Sequence, residues 1–154
     1  MSDVGLFIIE REQGSSYLDI KIEPTGIVAD DGLETAVYIS LFTDQRCDVE
    51  EIPLFETTGQ RGWWGDLLSE VDGDRIGSKF WLLKREKTLP QTLQKFIDYA
   101  KFSLQWMIED GIAEDVVVDA EFLRQGVMKM TIQIKKPDGL SVIFSVAWDA
   151  QGVK

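Results

Sequence analysis

The sequence predicts an α+β fold: a long amphipathic helix and a shorter buried helix packed on a C-terminal three-stranded antiparallel meander, with short N-terminal strands and a long central loop. Three observations carry this. Apolar residues recur at spacings of three and four over residues 89–110, the period of one helix face. They alternate with polar or smaller residues over most of residues 116–148, the period of a strand. Within that region Pro137-Asp138-Gly139 separates two alternating runs and reads as a hairpin turn.

Taken in order, Gly5 to Glu10 is a short apolar run. Leu18, Ile20 and Ile22 alternate with Asp19, Lys21 and Glu23, a half-buried strand that Pro24 and Gly26 break. Asp31 followed by Glu34 resembles a capping box, so a helix is expected over residues 33–43. Leu33, Val37 and Leu41 share one of its faces while Tyr38, Ile39 and Phe42 occupy others, and a helix apolar on several sides is mostly buried. Residues 44–77 show no sustained period, many carboxylates, and Pro53, Gly59, Gly62, Gly65, Gly73 and Gly77 as punctuation, which reads as a long functional loop. The cluster Phe80-Trp81-Leu82-Leu83 reads as a strand or one helical turn.

The strongest helix signal follows, with Thr88 as the expected N-cap and Pro90 in the first turn. Leu89, Leu93, Phe96, Ile97, Ala100, Leu104, Met107 and Ile108 form its core-facing stripe, and Gly111 ends it as the C′ residue. Tyr99, Phe102 and Trp106 form a second, aromatic ridge on the same helix. In the sheet, the inward sets are Val116, Val118, Ala120 and Phe122, then Met128, Met130, Ile132 and Ile134, then Leu140, Val142, Phe144, Val146 and Trp148. Lys129, Lys135 and Lys136 are expected to guard an edge strand against self-pairing.

With 154 residues, 44% of them hydrophobic and 28% charged, the chain is expected to form a single domain over residues 1–154 with a real core. A formal charge of -11 repels phosphate backbones and anionic membrane surfaces, so neither nucleic acid nor membrane is an expected partner. The first residues lack the basic region and long apolar run of a signal peptide or membrane span. The lone Cys47 has no CxxC context and reads as a small buried or half-buried apolar residue. There is no histidine, so within one chain Ser-His-Asp triads, Cys-His dyads and ordinary zinc sites are impossible.

The segment Arg61-Gly62-Trp63-Trp64-Gly65-Asp66 stands out, because two adjacent indoles outside a regular element must either plug a core or meet another molecule. Both readings stand for Trp63 and Trp64. For Tyr99, Phe102 and Trp106 the alternatives are cover by the long loop or a protein interface. Chemistry finds less support. Glu56, Asp66, Glu70, Asp72, Glu109 and Asp110 offer carboxylate pairs of the kind glycosidases use, but in so acidic a chain solvated surface groups explain each better. The run from Asp72 to Gly77 begins like a calcium loop and then fails at Ile76 and Leu83. No phosphate-binding glycine loop occurs, and no cofactor or metal site is expected.

Four motifs in register nevertheless carry a resemblance. Leu41-Phe42-Thr43-Asp44-Gln45-Arg46, Arg61-Gly62-Trp63-Trp64-Gly65-Asp66, the run from Gly77 to Leu83, and the run from Leu104 to Ala113 are similar to successive signatures of the Mu-like phage baseplate wedge family. Departures from that family's pattern are Gln45 where arginine is favoured, Cys47 for alanine, and Phe80 and Met107 for leucine. The resemblance implies a structural, non-enzymatic component of a contractile phage or prophage tail, related to the lysozyme-like wedge proteins of T-even-type phages. It implies other baseplate wedge subunits and the tail sheath protein as partners, the sheath joining by strand addition to an edge of the meander. Multiple copies in a six-fold assembly, a place in the virion tail baseplate, and assembly in the host cytoplasm follow from the same resemblance. Arg61, Trp63, Trp64, Asp66, Tyr99, Phe102 and Trp106 would be the protein-interaction residues. Two other uses are compatible with the sequence: a peptidoglycan-cleaving, lysozyme-like enzyme, or a small regulatory adaptor with the same fold.

Overall fold

The computed structural model describes residues 32–149 apart from 55, 56, 58, 72, 74 and 85, together with the backbone of the N-terminal strands. The expectations placed on Gly5, Lys21, Pro24, Asp31, Glu56, Asp72 and Asp74 fall outside the described residues. The N-terminal region pairs its short strands antiparallel: β1 (Asp3–Val4) with β6 (Ala29–Asp30), β2 (Leu6–Glu10) with β3 (Ser16–Ile20), and β4 (Ile22–Glu23) with β5 (Gly26–Ile27).

Helix α1 (Leu33–Phe42) starts from Gly32 as its N-cap, in place of the expected capping box, and the Glu34 carboxylate accepts a 2.8 Å hydrogen bond from the Tyr38 hydroxyl. Val37, Tyr38 and Leu41 are buried, in keeping with apolar residues on several sides. Helix α2 (Pro90–Glu109) is the long element. Its N-cap is Leu89, one residue later than the sequence suggested, because the Thr88 hydroxyl is engaged elsewhere: it accepts the Gly126 N–H at 3.1 Å and ties the helix start to the sheet. Leu89, being the cap, is exposed and leaves the core stripe. The rest of the stripe holds, with Phe96, Ala100, Leu104 and Met107 fully buried and Leu93, Ile97 and Ile108 packed at its margin.

The meander comprises β7 (Asp115–Arg124), β8 (Val127–Lys135) and β9 (Ser141–Asp149) in the order β7-β8-β9, all antiparallel. Ala120, Met130 and Val146 fall in one register row, as do Val118, Ile132 and Phe144, so alternation on each strand sends one apolar set onto α2. Two sequence expectations change here. Leu140 lies in the turn, where its N–H bonds Asp138 Oδ1 at 2.9 Å, and is exposed. Lys129 and Lys135 lie on the central strand and cannot guard an edge; they face Glu121 at 3.8 Å and Glu114 at 2.8 Å.

Phe80–Leu83 is a 3-10 turn with all four side chains buried, because it is pressed between two cores. Phe80 and Leu83 face the main core, where the Phe80, Phe96 and Trp148 rings meet with centroids 4.4 to 5.9 Å apart. Trp81 and Leu82 face the other way and close a small second core with Cys47, Ile52 and Tyr99.

Candidate functional site

The second core anchors the long loop. Its two ends are joined by main-chain bonds, Gln45 N–H to the Ser78 carbonyl and Ser78 N–H to the Thr43 carbonyl, each 2.9 Å. Only glycine fits beside this junction: Gly77 has φ of 103°, and a Cβ there would stand 2.3 Å from the Thr43 carbonyl oxygen. The Ser78 hydroxyl donates to the Leu41 carbonyl at 2.6 Å, and the Trp81 indole N–H donates to the Gln45 carbonyl at 2.9 Å. Further out, Cys47 and Gln60 exchange bonds, main-chain N–H to carbonyl at 3.1 Å and side-chain amide to carbonyl at 2.9 Å. Lys79 Nζ reaches both oxygens of Glu51 at 2.7 and 2.8 Å, which holds that carboxyl below its usual range. Burial pushes the Cys47 thiol up, so it is a packing residue.

Arg61 connects three of the four motifs. Its guanidinium pairs with Asp44 at 2.7 Å and lies 4.8 Å from the centroid of the Trp81 ring, while its backbone adopts φ of 50°. From this fixed point the chain projects an arm: Trp63, then the 3-10 turn Trp64–Leu68. The Trp63 ring folds back over Gly65, whose missing side chain makes the room; a Cβ there would stand 2.2 Å from the indole. Trp63 and Trp64 pack together with centroids 5.5 Å apart. Asp66 stabilises the arm from inside, its Oδ1 accepting the Ile76 N–H at 3.1 Å, while its buried Oδ2 has no partner among the described residues.

The tryptophans do not plug a core. Trp63 is 44% and Trp64 70% exposed, and Leu67 and Leu68, absent from the sequence-predicted set, are 81% and 73% exposed. The only sequence sign of these leucines was apolar residues set in an acidic, aperiodic segment. The aromatic ridge of α2 divides into unlike parts. Tyr99 is half-buried against both cores, and Trp106 packs on the main core with its N–H donating to Ser40 Oγ at 3.0 Å, whereas Phe102 is 67% exposed. Between the arm and the helices lies an open groove of about 1160 Å3, with Trp63, Leu68 and Val71 on one side and Ile39, Phe102 and Trp106 on the other. The structure thus brings Trp63, Asp66, Phe102 and Trp106 to one groove; Arg61 and Tyr99 act beneath it, as supports.

Among the described residues, the carboxylates considered for glycosidic chemistry offer no dry pair: Asp66 alone is partly buried. Glu70, Glu109 and Asp110 are exposed, and a protonated acid needs an enclosed apolar site. Among the described residues no group of three or more His, Cys, Asp or Glu could hold a metal ion, and no helix is long and apolar enough to cross a membrane.

Residues 33–141, which span α1, the loop, α2 and most of the meander, match the family model described as Phage protein GP46. The chain is 40% identical over 122 residues to the baseplate protein gp46 of Escherichia phage Mu, covering 79% of this chain and 81% of that protein. It is also 40% identical over 121 residues to the Mu-like prophage FluMu protein gp46 of Haemophilus influenzae, with the same shares of 79% and 81%. The anchored loop, the exposed tryptophan arm and the helix-on-meander frame described above are therefore those of a protein that belongs to the GP46 family of Mu-like phage baseplate proteins.

Proposed function

We propose that this protein is a structural component of a phage tail baseplate, a subunit that assembles with other baseplate components and carries no enzymatic activity. Its family membership supports this, since the phage Mu relative is itself a baseplate protein. The observation that carries the role of this chain is the exposed arm: Trp64, Leu67 and Leu68 would not be held out to water by a well-anchored loop unless another surface covered them. In finer detail, the arm and Phe102 dock on a neighbouring wedge subunit, in a six-fold assembly built in the host cytoplasm. Replacing Trp64 and Leu68 together by serine tests the role of the arm. Far-UV circular dichroism and urea midpoint should be unchanged, while tails assembled with the variant lack the subunit. Normal incorporation would refute the reading.

A second contact, with the tail sheath, is supported by the sheet topology. Strand β9 has β8 on one side and, among the described residues, no strand on the other. The Lys136 N–H bonds the Leu140 carbonyl at 2.8 Å, and antiparallel bonding alternates in steps of two. Hence Ser141, Ile143, Ser145 and Ala147 direct their main-chain groups to the free edge, where an extended arm of a sheath subunit can add as a fourth strand. Ser145→Pro removes one donor at that edge and none from the β8 ladder. It should leave baseplates intact and prevent sheath attachment; attached sheath of normal length would exclude this edge.

A further inference from the structure

The groove carries more information than its apolar walls. Of the two cations on its lining, Lys79 is held by Glu51, and Arg75 is exposed and donates to the Arg46 carbonyl at 3.4 Å. Glu109 and Asp110, at its other end, are exposed and make no ion pair among the described residues, and neither does Asp66. The position of the two carboxylates is itself unfavourable. They close α2, where the last-turn carbonyls give a helix its negative end, and no basic residue occupies that turn. An isolated helix gains from lysine or arginine there; this one presents two acids beside an uncovered aromatic surface.

We propose that the groove seats a segment of a different chain that is apolar along one face and carries lysine or arginine at its edge, the apolar face covering Trp63, Leu68 and Phe102 and the basic groups meeting Glu109 and Asp110. This rests on the reading of the arm as a docking surface and names the chemistry of what docks. The size of the groove fits a peptide segment, since about 1160 Å3 exceeds the ~300–1,000 Å3 usual for small-molecule pockets. A second copy of this chain is a poor occupant, because each copy brings a charge of -11. A cation at the α2 terminus gains from both carboxylates and the helix dipole, and that gain is absent for a neutral or acidic segment.

The test places a photo-crosslinking amino acid at Leu68 and, separately, at Ser145 on the β9 edge, in the full chain incorporated into tails, with cross-linked peptides sequenced by mass spectrometry. Leu68 should capture a segment of another tail protein that is rich in apolar residues and contains lysine or arginine. Glu109→Lys with Asp110→Lys should lower that yield by about tenfold, whereas Asp138→Lys, in the hairpin turn and outside the groove lining, should not. Capture of a second copy, capture of a neutral or acidic segment, or a yield indifferent to the α2 charges would overturn the proposal. Tails that contain the protein but give no cross-link from Leu68 would overturn it alone. Absence of the unsubstituted protein from tails would overturn the docking reading with it.

Discussion

Arg61 holds the arm at a cost that can be measured. Its ion pair with Asp44 is 2.7 Å long, but the two side chains are 21% and 45% exposed, so water screens it. Such a pair contributes about 0.5 kcal/mol. The guanidinium 4.8 Å from the centroid of the buried Trp81 ring adds roughly 1 kcal/mol. Arg61→Ala removes both and keeps the left-handed backbone, so it should lose about 1.5 kcal/mol. Arg61→Gly removes the same contacts but relieves a conformation that costs a residue with a side chain about 1 kcal/mol, so its net loss should be only about 0.5 kcal/mol. With a urea m-value of about 2 kcal/mol/M, the alanine midpoint should fall by roughly 0.7 M and the glycine midpoint by roughly 0.3 M. Equilibrium urea unfolding followed by circular dichroism measures both. A glycine variant no more stable than the alanine variant would refute the account, for it would mean that φ of 50° at this position stores nothing.

Three further outcomes follow from the same contacts. Because Lys79 holds the Glu51 carboxyl below its usual range, the pair stabilises the folded state above the unfolded carboxyl pKa of about 4.3, and that contribution is lost as pH falls through the lower folded value. Lys79→Met should therefore flatten the acid limb of a plot of urea midpoint against pH, and an unchanged limb would show that the pair is energetically idle. Gly77→Ala forces a Cβ onto the Thr43 carbonyl at positive φ and should lower stability by at least ~2 kcal/mol, read as a large drop in melting temperature. Trp106→Phe keeps an aromatic ring but leaves the buried Ser40 hydroxyl without its indole donor, and should cost about 1 kcal/mol by thermal unfolding; a loss within error would mean that Ser40 finds another partner.

The regular frame was legible because its signals are local. The α2 stripe from Leu93 to Ile108 and the inward sets of the three strands could be read from spacing alone, since burial of one face imposes the period. What failed depended on partners remote in sequence. Thr88 is a good N-cap in isolation, yet Gly126 engages its hydroxyl. Lys129 and Lys135 carry no sign of lying on a central strand, which strand order alone decides. Spacing showed that Tyr99, Phe102 and Trp106 leave the core stripe, but not that Tyr99 meets the second core, Trp106 meets Ser40, and Phe102 meets nothing equivalent. The loop was the least legible part, because its order comes from bonds such as those of Thr43 and Gln45 with Ser78, which no local pattern encodes. The glycines and the paired tryptophans pointed to the site; Leu67, Leu68 and Val71 completed it only in three dimensions.

Joining Thr43 and Gln45 to Ser78 has a consequence for how such a protein can change over generations. The entropy of bringing the two ends together is spent at the junction, next to the helices, and depends only weakly on how much chain runs between them. Doubling the enclosed length would cost only about 0.6 kcal/mol. Substitutions, insertions and deletions in the arm are thus insulated from the stability of the frame, as long as Gly77, Ser78 and the Trp81 anchor remain. A phage protein built this way can exchange the surface it shows to its neighbours while keeping the same folded scaffold, and the residues that permit the exchange belong to the junction and not to the arm.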